Sequence, residues 1–269
     1  MTKTRRRLWI ILAAVTAVLV AGAGAAVAWW RWDTGRQPQV SDVVADMTAA
    51  VADTLAATGP DAAVAVSPVV RSGGCRLGPL RQGGIFTASA DLYTDQGTED
   101  ALITAIEQRL PDRYATTRGQ AAAGVRALRA DLGAGATLAV RRLSPGWLTV
   151  SARSGCSLGA ATAPGAPTGS SAGVAALTDL LRHLGTSPAT VVESRLSCGT
   201  GAITTVSVTS AATDTASIDE RLAEVVPKTA RRFSAGQSNR LTYRDGPVSV
   251  IVAASDDGTA VSAQYTTTC

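Results

Sequence analysis

The chain has 269 residues, with 25 Lys+Arg against 21 Asp+Glu, one histidine and four cysteines. Lys3, Arg5, Arg6 and Arg7 precede Leu8, so the remainder balances at 21 against 21, and the pI near 9.1 belongs to the N-terminus. That balance lacks the basic face that nucleic-acid binding needs, and one histidine with widely spaced cysteines makes no metal centre, so neither nucleic acid nor a cofactor is expected.

Residues 1–7 read as a cytoplasmic basic tail. Residues 8–30 run LWIILAAVTAVLVAGAGAAVAWW without a charge. At about 1.5 Å per helical residue this run exceeds the roughly 30 Å hydrocarbon core, so it is expected to be a transmembrane helix. The basic residues before it keep the N-terminus inside and send the rest outward, with Trp9, Trp29, Trp30 and Trp32 at the headgroup levels. The alternative is a cleaved signal peptide ending at Ala26-Val27-Ala28, which makes the protein secreted. Against it, the apolar run is longer than the roughly 7–15 residues of such a segment. Either route exports the domain. Arginine outnumbers lysine 23 to 2 and Asn239 is the only asparagine, a composition of GC-rich bacterial coding.

Residues 31–40 form a short tether, and two similar stretches follow, 41–159 and 171–269, joined by a Pro/Gly/Ala/Thr linker at 160–170. The first opens with Ser41 as a helix cap, then Val44, Met47, Val51 and Leu55 on one helical face, stopping at Gly59-Pro60. Ala63–Val66 and Ile85–Tyr93 follow as β-strands around Cys75. A second helix starts at Thr98, with Leu102, Ile106 and Leu110 as its buried face, and ends at Pro111. Residues 115–136 are rich in Ala and Arg and are expected to be an inserted short helix, with Val125, Leu128 and Leu132 as its apolar positions. A hairpin of 138–143 and 147–152, turning at Ser144-Pro145-Gly146, leads to Cys156.

The second stretch repeats the order. Ser171 caps a helix with Val174, Leu177, Leu181 and Leu184 on one face, stopped by Gly185. Strands at 190–192 and 203–209 flank Cys198, and a capping box of Ser217 and Glu220 opens a second helix. A hairpin of 248–253 and 260–265 leads to Cys269. The expected fold class is therefore α+β: a transmembrane helix, then two tandem α-β-β-α-β-β units with antiparallel sheets, both helices of a unit on one face. Four cysteines in an exported chain allow three disulfide connectivities, and the duplication selects Cys75 with Cys156 and Cys198 with Cys269.

Catalytic signatures are weak. Gly169-Ser170-Ser171-Ala172-Gly173 matches a nucleophile-elbow pattern, but a proline-rich linker precedes it where a strand is required, so Ser171 reads as a cap. His183, beside Arg182 near a helix C-terminus, reads as a cap as well. Asp214, Asp256 and Asp257 are isolated acids. Gly73-Gly74 and Gly83-Gly84 suggest a mobile hairpin tip. Trp147 follows a Pro-Gly turn, and Arg141-Arg142 and Arg231-Arg232 are basic pairs; Trp147, Arg141 and Arg142 are the candidate ligand contacts, with Trp147 expected chiefly to pack. The whole reads as a non-enzymatic, membrane-anchored envelope protein that binds envelope proteins or a cell-wall ligand. The alternative is a small-molecule or lipid carrier with a pocket between helices and sheet.

Overall fold

The computed structural model describes residues 38–78, 81–120, 126–159, 172–199, 201–211, 217–234, 239–255 and 257–269, with scattered positions between Thr16 and Ala28. Apart from those positions, each of them helical, the 8–30 segment lies outside the described residues, as do most of the tether and the linker from Ala160 on. Among the described residues no helix is long and apolar enough to cross a membrane. The chain from Gln39 to Cys269 forms one compact body.

Helix α1 (Val40–Thr58) leads through a single turn, Gly59–Asp61, into β1 (Ala63–Gly78) and β2 (Arg81–Tyr93). Then come α2 (Glu99–Arg109), β3 (Thr116–Gln120), β4 (Arg126–Gly133), β5 (Ala136–Ser144) and β6 (Trp147–Arg153). The second unit runs α3 (Ala172–His183), β7 (Thr190–Cys198), β8 (Gly201–Ala211) and α4 (Ile218–Arg221), followed by one 3-10 turn, Ala223–Val225. It ends with β9 (Arg231–Arg232), β10 (Arg240–Asp245), β11 (Val248–Ala254) and β12 (Ala260–Thr267). Two separate six-stranded antiparallel sheets result, ordered β1-β2-β6-β5-β4-β3 and β7-β8-β12-β11-β10-β9. The topology is the same in both.

Each unit thus carries four strands after its second helix, where the sequence pattern had suggested two. The described residues of the 115–136 stretch form no inserted helix; they supply β3 and β4, while 121–125, with Val125, lie outside the described residues. Buried Leu128 and Ala130 alternate with exposed Arg129 and Asp131, and this period of two, which suits a strand with one buried face, prevails over the helical propensity of Ala and Arg. Leu241 and Tyr243 play the same part in β10.

Helix boundaries also differ in detail. α1 begins at Val40 with Gln39 as N-cap, so Ser41 lies inside the first turn, where its hydroxyl donates to Asp42. The buried face uses Val43 in place of Val44, with Met47, Val51 and Leu55. Ser217 precedes α4 in a left-handed conformation and makes no side-chain cap, and α4 is a single turn. The glycine stops hold. Gly59 and Gly185 take φ of 60° and 74°, which an L side chain resists.

The first core lies between sheet 1 and its helices: Met47, Val51 and Leu55 of α1 and Leu102 and Ile106 of α2 meet Val64, Leu92, Leu128, Leu138, Leu148 and Val150. The second is built the same way from Leu177, Leu181, Ile218 and Leu222 against Val206, Val208, Leu241, Val250 and Val252. Burying each such side chain contributes about 1.5–3 kcal/mol before conformational entropy is set against it.

Both disulfides close as the duplication requires. Cys75–Cys156 and Cys198–Cys269 have Cα separations of 5.8 and 6.6 Å, and no free cysteine remains. Such bridges belong to an oxidising, extracytoplasmic environment. The first bridge also settles the glycine pairs: Gly74 pairs with Gly84 and Cys75 with Gly83 inside the β1/β2 ribbon, so they form a braced ribbon and no loose tip. A Cβ on Gly83 would fall 2.7 Å from the Cys156 sulfur and 2.9 Å from the Ser157 carbonyl, so only glycine lets the bridge approach.

The units meet in an asymmetric way. Sheet 1 ends in β1, whose outer edge has unpaired backbone groups, and sheet 2 lays the face turned away from its own helices across that edge, with β7, β8, β10, β11 and β12 all touching β1 and β7 touching α1 as well. The Val66 N–H donates to Thr205 Oγ1 at 2.9 Å, and Thr205 in turn shares a 2.8 Å hydrogen bond with Thr266. Arg244 Nη1 donates to the carbonyls of Gly59 and, at 3.0 Å, Ala62. An exposed sheet edge invites aggregation, and here serine, threonine and arginine side chains of the partner unit cover it. Thr205→Val should leave the Val66 N–H buried without an acceptor and cost about 1–3 kcal/mol in urea unfolding, whereas Thr205→Ser should stay near wild type.

Candidate functional site

Alternation in β2, β4, β5 and β6 gives sheet 1 a second face, turned away from the helices. Across the strands it reads Thr87, Arg153, Thr137, Asp131 in one row and Ser89, Ser151, Ala139, Arg129, Thr117 in the next. Asp91, Thr149 and Arg141 follow. Arg129, Arg141 and Arg153 are exposed, and none has an ion-pair partner within 4.0 Å among the described residues. A depression of about 420 Å³ lies beside Arg129 and Arg153, lined also by Thr117, Asp131, Thr137 and Ser151. Asp131 is the one acid there, and its Oδ1 accepts the N–H of Gly133 at 2.8 Å.

Toward β1 the same face runs into the corner between the units. Tyr93 and Trp147 stack with centroids 5.8 Å apart, and the Arg240 guanidinium of the second unit lies 5.0 Å from each ring centroid. Trp147 Nε1 donates to Asp91 Oδ1 at 3.1 Å. Ala63, Ala65, Phe233 and Ile251 close the apolar side of this corner. The buried Nε and Nη1 of Arg240, with Thr242 Oγ1 and Ser249 Oγ, have no hydrogen-bond partner among the described residues, so the two rings and the nearby Asp91 charge hold the guanidinium there.

Burial raises the Asp91 carboxyl above its ordinary value, against the lowering influence of the Trp147 hydrogen bond and Arg240. Burial likewise pushes the Tyr93 phenol up, helped by Asp91. Because the folded-state pKa of Asp91 exceeds the unfolded one, ionising it costs folding stability as pH rises from about 3.9 through the raised value. Asp91→Asn should therefore match wild type in strong acid, gain on wild type progressively through that window and keep a constant advantage above it, as read from urea midpoints across pH.

Of the residues singled out by the sequence, Trp147 sits in this corner, its indole N–H engaged by Asp91. Arg141 and Arg142 separate to opposite faces: Arg141 joins the open face in register with Thr149, while Arg142 lies near Glu99. Glu99 is buried, which alone would raise its carboxyl, yet the Gly146 backbone N–H and further backbone groups, with the charge of Arg142, hold it below the usual range. Arg231 bridges the units to Asp61 at 3.1 Å and Asp95 at 3.3 Å, and Arg232 pairs with Asp219. His183 Nδ1 lies 2.9 Å from the Asp179 carbonyl at the end of α3. Asp257 accepts from Ser255 and Thr259 within its own turn, which lowers it to about 2. Ser171, Asp214 and Asp256 lie outside the described residues. Among the described residues no group of three or more His, Cys, Asp or Glu could hold a metal ion.

Sequence reading missed Arg129 and Arg153 because it placed the first in a helix and stopped the last hairpin strand one residue short of the second. The signal was the alternation Ala127, Leu128, Arg129, Ala130, Asp131, whose polar members can share a face only in a strand. Set against known protein families, described proteins and solved structures, the chain matches none.

Proposed function

We propose that this chain is a membrane-anchored extracytoplasmic binding module, without catalysis of its own, that receives its partner on the open face of sheet 1. In this reading residues 8–30 are the anchor and the two disulfide-braced units form the outward domain. One observation carries it: the two sheets share one topology, yet the face of sheet 2 turned away from its own helices is covered by β1 and α1, while the matching face of sheet 1 bears three exposed arginines without ion-pair partners among the described residues. The carrier alternative is less favoured, since Met47, Val51, Leu92, Ile106 and Leu148 between helices and sheet are fully buried, and the depression of about 530 Å³ at the margin of that core is lined by the polar Asp46, Arg113 and Asp131 along with Tyr114.

The test is a photo-crosslinking amino acid at Ser151, in the middle of the open face, in the full chain expressed in its own host. Irradiation is expected to yield a discrete adduct that is absent when the same group is placed at Asp46, exposed on α1. Equal labelling at both positions, or none at either, overturns the proposal.

A further inference from the structure

The covered face of sheet 2 shows what the matching place on sheet 1 is shaped to take. Arg153 stands three residues before Cys156 and Thr266 three before Cys269, which sets the two sheets in correspondence. Arg153 pairs with Thr87 on one side and Thr137 on the other; Thr266 pairs with Thr205 and Ser249. One strand further, Thr137 faces Asp131 and Ser249 faces Arg244. Arg129, two residues before Asp131, thus corresponds to Thr242. The depression beside Arg129, Thr137 and Arg153 is therefore the counterpart of the patch on sheet 2 that holds the edge of β1. On sheet 2 these positions are shut away: Thr205, Thr242, Ser249 and Thr266 are at most 2% exposed. On sheet 1, Arg129, Thr137 and Arg153 are exposed and Thr87 is half-buried.

Resting on the binding reading above, we propose that this patch docks the exposed edge strand of a separate partner protein, one whose edge is flanked by carboxylates. Thr87 takes the part of Thr205: its hydroxyl donates to Ser72 Oγ at 2.9 Å, which leaves its oxygen free to accept an edge N–H. Arg153 and Arg129 offer guanidinium donors to the partner's carbonyls, as Arg244 does to Gly59 and Ala62, and to its carboxylates. Three arginines against Asp131, with Asp91 set beside Arg240 in the corner, make the outer part of the face positive, whereas the corresponding positions of the internal interface hold the neutral Thr205, Thr242, Ser249 and Thr266 beside a single arginine, Arg244. This charge argues against a second copy of the chain. The edge corresponding to β1 is β7, which carries one acid and one base, Glu193 and Arg195, and follows the basic helix end of Arg182 and His183.

The probe is a fluorescein-labelled β-hairpin peptide with alternating Thr and Val and glutamates at both strand ends, titrated by anisotropy against the full chain in detergent. Saturable binding is expected, weakened about tenfold or more by Arg129→Glu with Arg153→Glu, or by lysines in place of the peptide's glutamates. N-methylation of the peptide's outward amides should weaken it similarly, and Thr87→Val should do so to a smaller extent. No binding, or polyglutamate of equal charge binding as tightly, overturns the proposal, as does indifference to N-methylation. Self-association abolished by the double charge reversal also overturns it, since the face would then hold a copy of this chain. The Ser151 crosslink separates the two levels: a protein adduct mapped to an edge strand supports both, a non-protein adduct sinks this inference alone, and the absence of any adduct sinks the binding reading with it.

Discussion

Replacing Cys75 and Cys156 by serine is expected to cost about 4.5 kcal/mol, and replacing Cys198 and Cys269 nearly as much. The bonds close spans of 81 and 71 residues, and freeing such loops returns that much chain entropy to the unfolded state in the loop-closure model. For a domain of this size each pair of substitutions should lower Tm by about 10–15 °C, measured by calorimetry. The first bond should prove the more sensitive to its surroundings, because Gly83 holds its backbone against the sulfur of Cys156. Tryptic digestion of the unfolded, unreduced protein supplies the covalent check. Peptides containing Cys75 and Cys156 should travel together, those containing Cys198 and Cys269 should travel together, and no species should join the two sets. A crosslink between units would remove the basis for treating them as repeats.

Truncating Leu92 in the first core or Leu222 in the second to alanine should each cost about 2–5 kcal/mol, since both side chains are fully buried and the surrounding sheet and helix cannot collapse onto the gap. The more informative outcome is the shape of the transition. Leu196 and Ile203 of the second unit belong to the first core, and Tyr93 and Trp147 meet Phe233 and Ile251 across the boundary. Arg231 and Arg244 add polar links to Asp61, Asp95, Gly59 and Ala62. Both variants are therefore expected to shift one cooperative unfolding transition, seen alike by near- and far-ultraviolet circular dichroism. Two transitions, with only one moved by each variant, would mean that the units fold independently.

Much of this architecture can be read from the chain. Period-two runs at 85–93, 203–209 and the two last hairpins mark strands because apolar residues alternate with Ser, Thr and Arg. The matched cysteines give their own pairing once the repeat is recognised. Short or charged strands are harder to read. β9 has two residues, both arginine, and β4 hides its alternation in a run of Ala and Arg that suits a helix equally well. The open face was legible only through Arg141. Arg129 and Arg153 become its companions through strand register, a long-range property that no local window contains. The corner of Asp91, Tyr93, Trp147 and Arg240 joins residues up to 149 positions apart, and nothing in their neighbours along the chain announces it.

The covering of β1 by sheet 2 has a consequence for biogenesis. Polypeptides emerge from their N-terminus, so the first unit is complete while the surface that will shield its outermost strand has yet to be made. For that interval Val66 and its neighbours present a bare ribbon to any other nascent molecule. Products that stop in the 160–170 region should accumulate as insoluble aggregates, and the protein should depend on an export-side holdase until its last hundred residues have arrived.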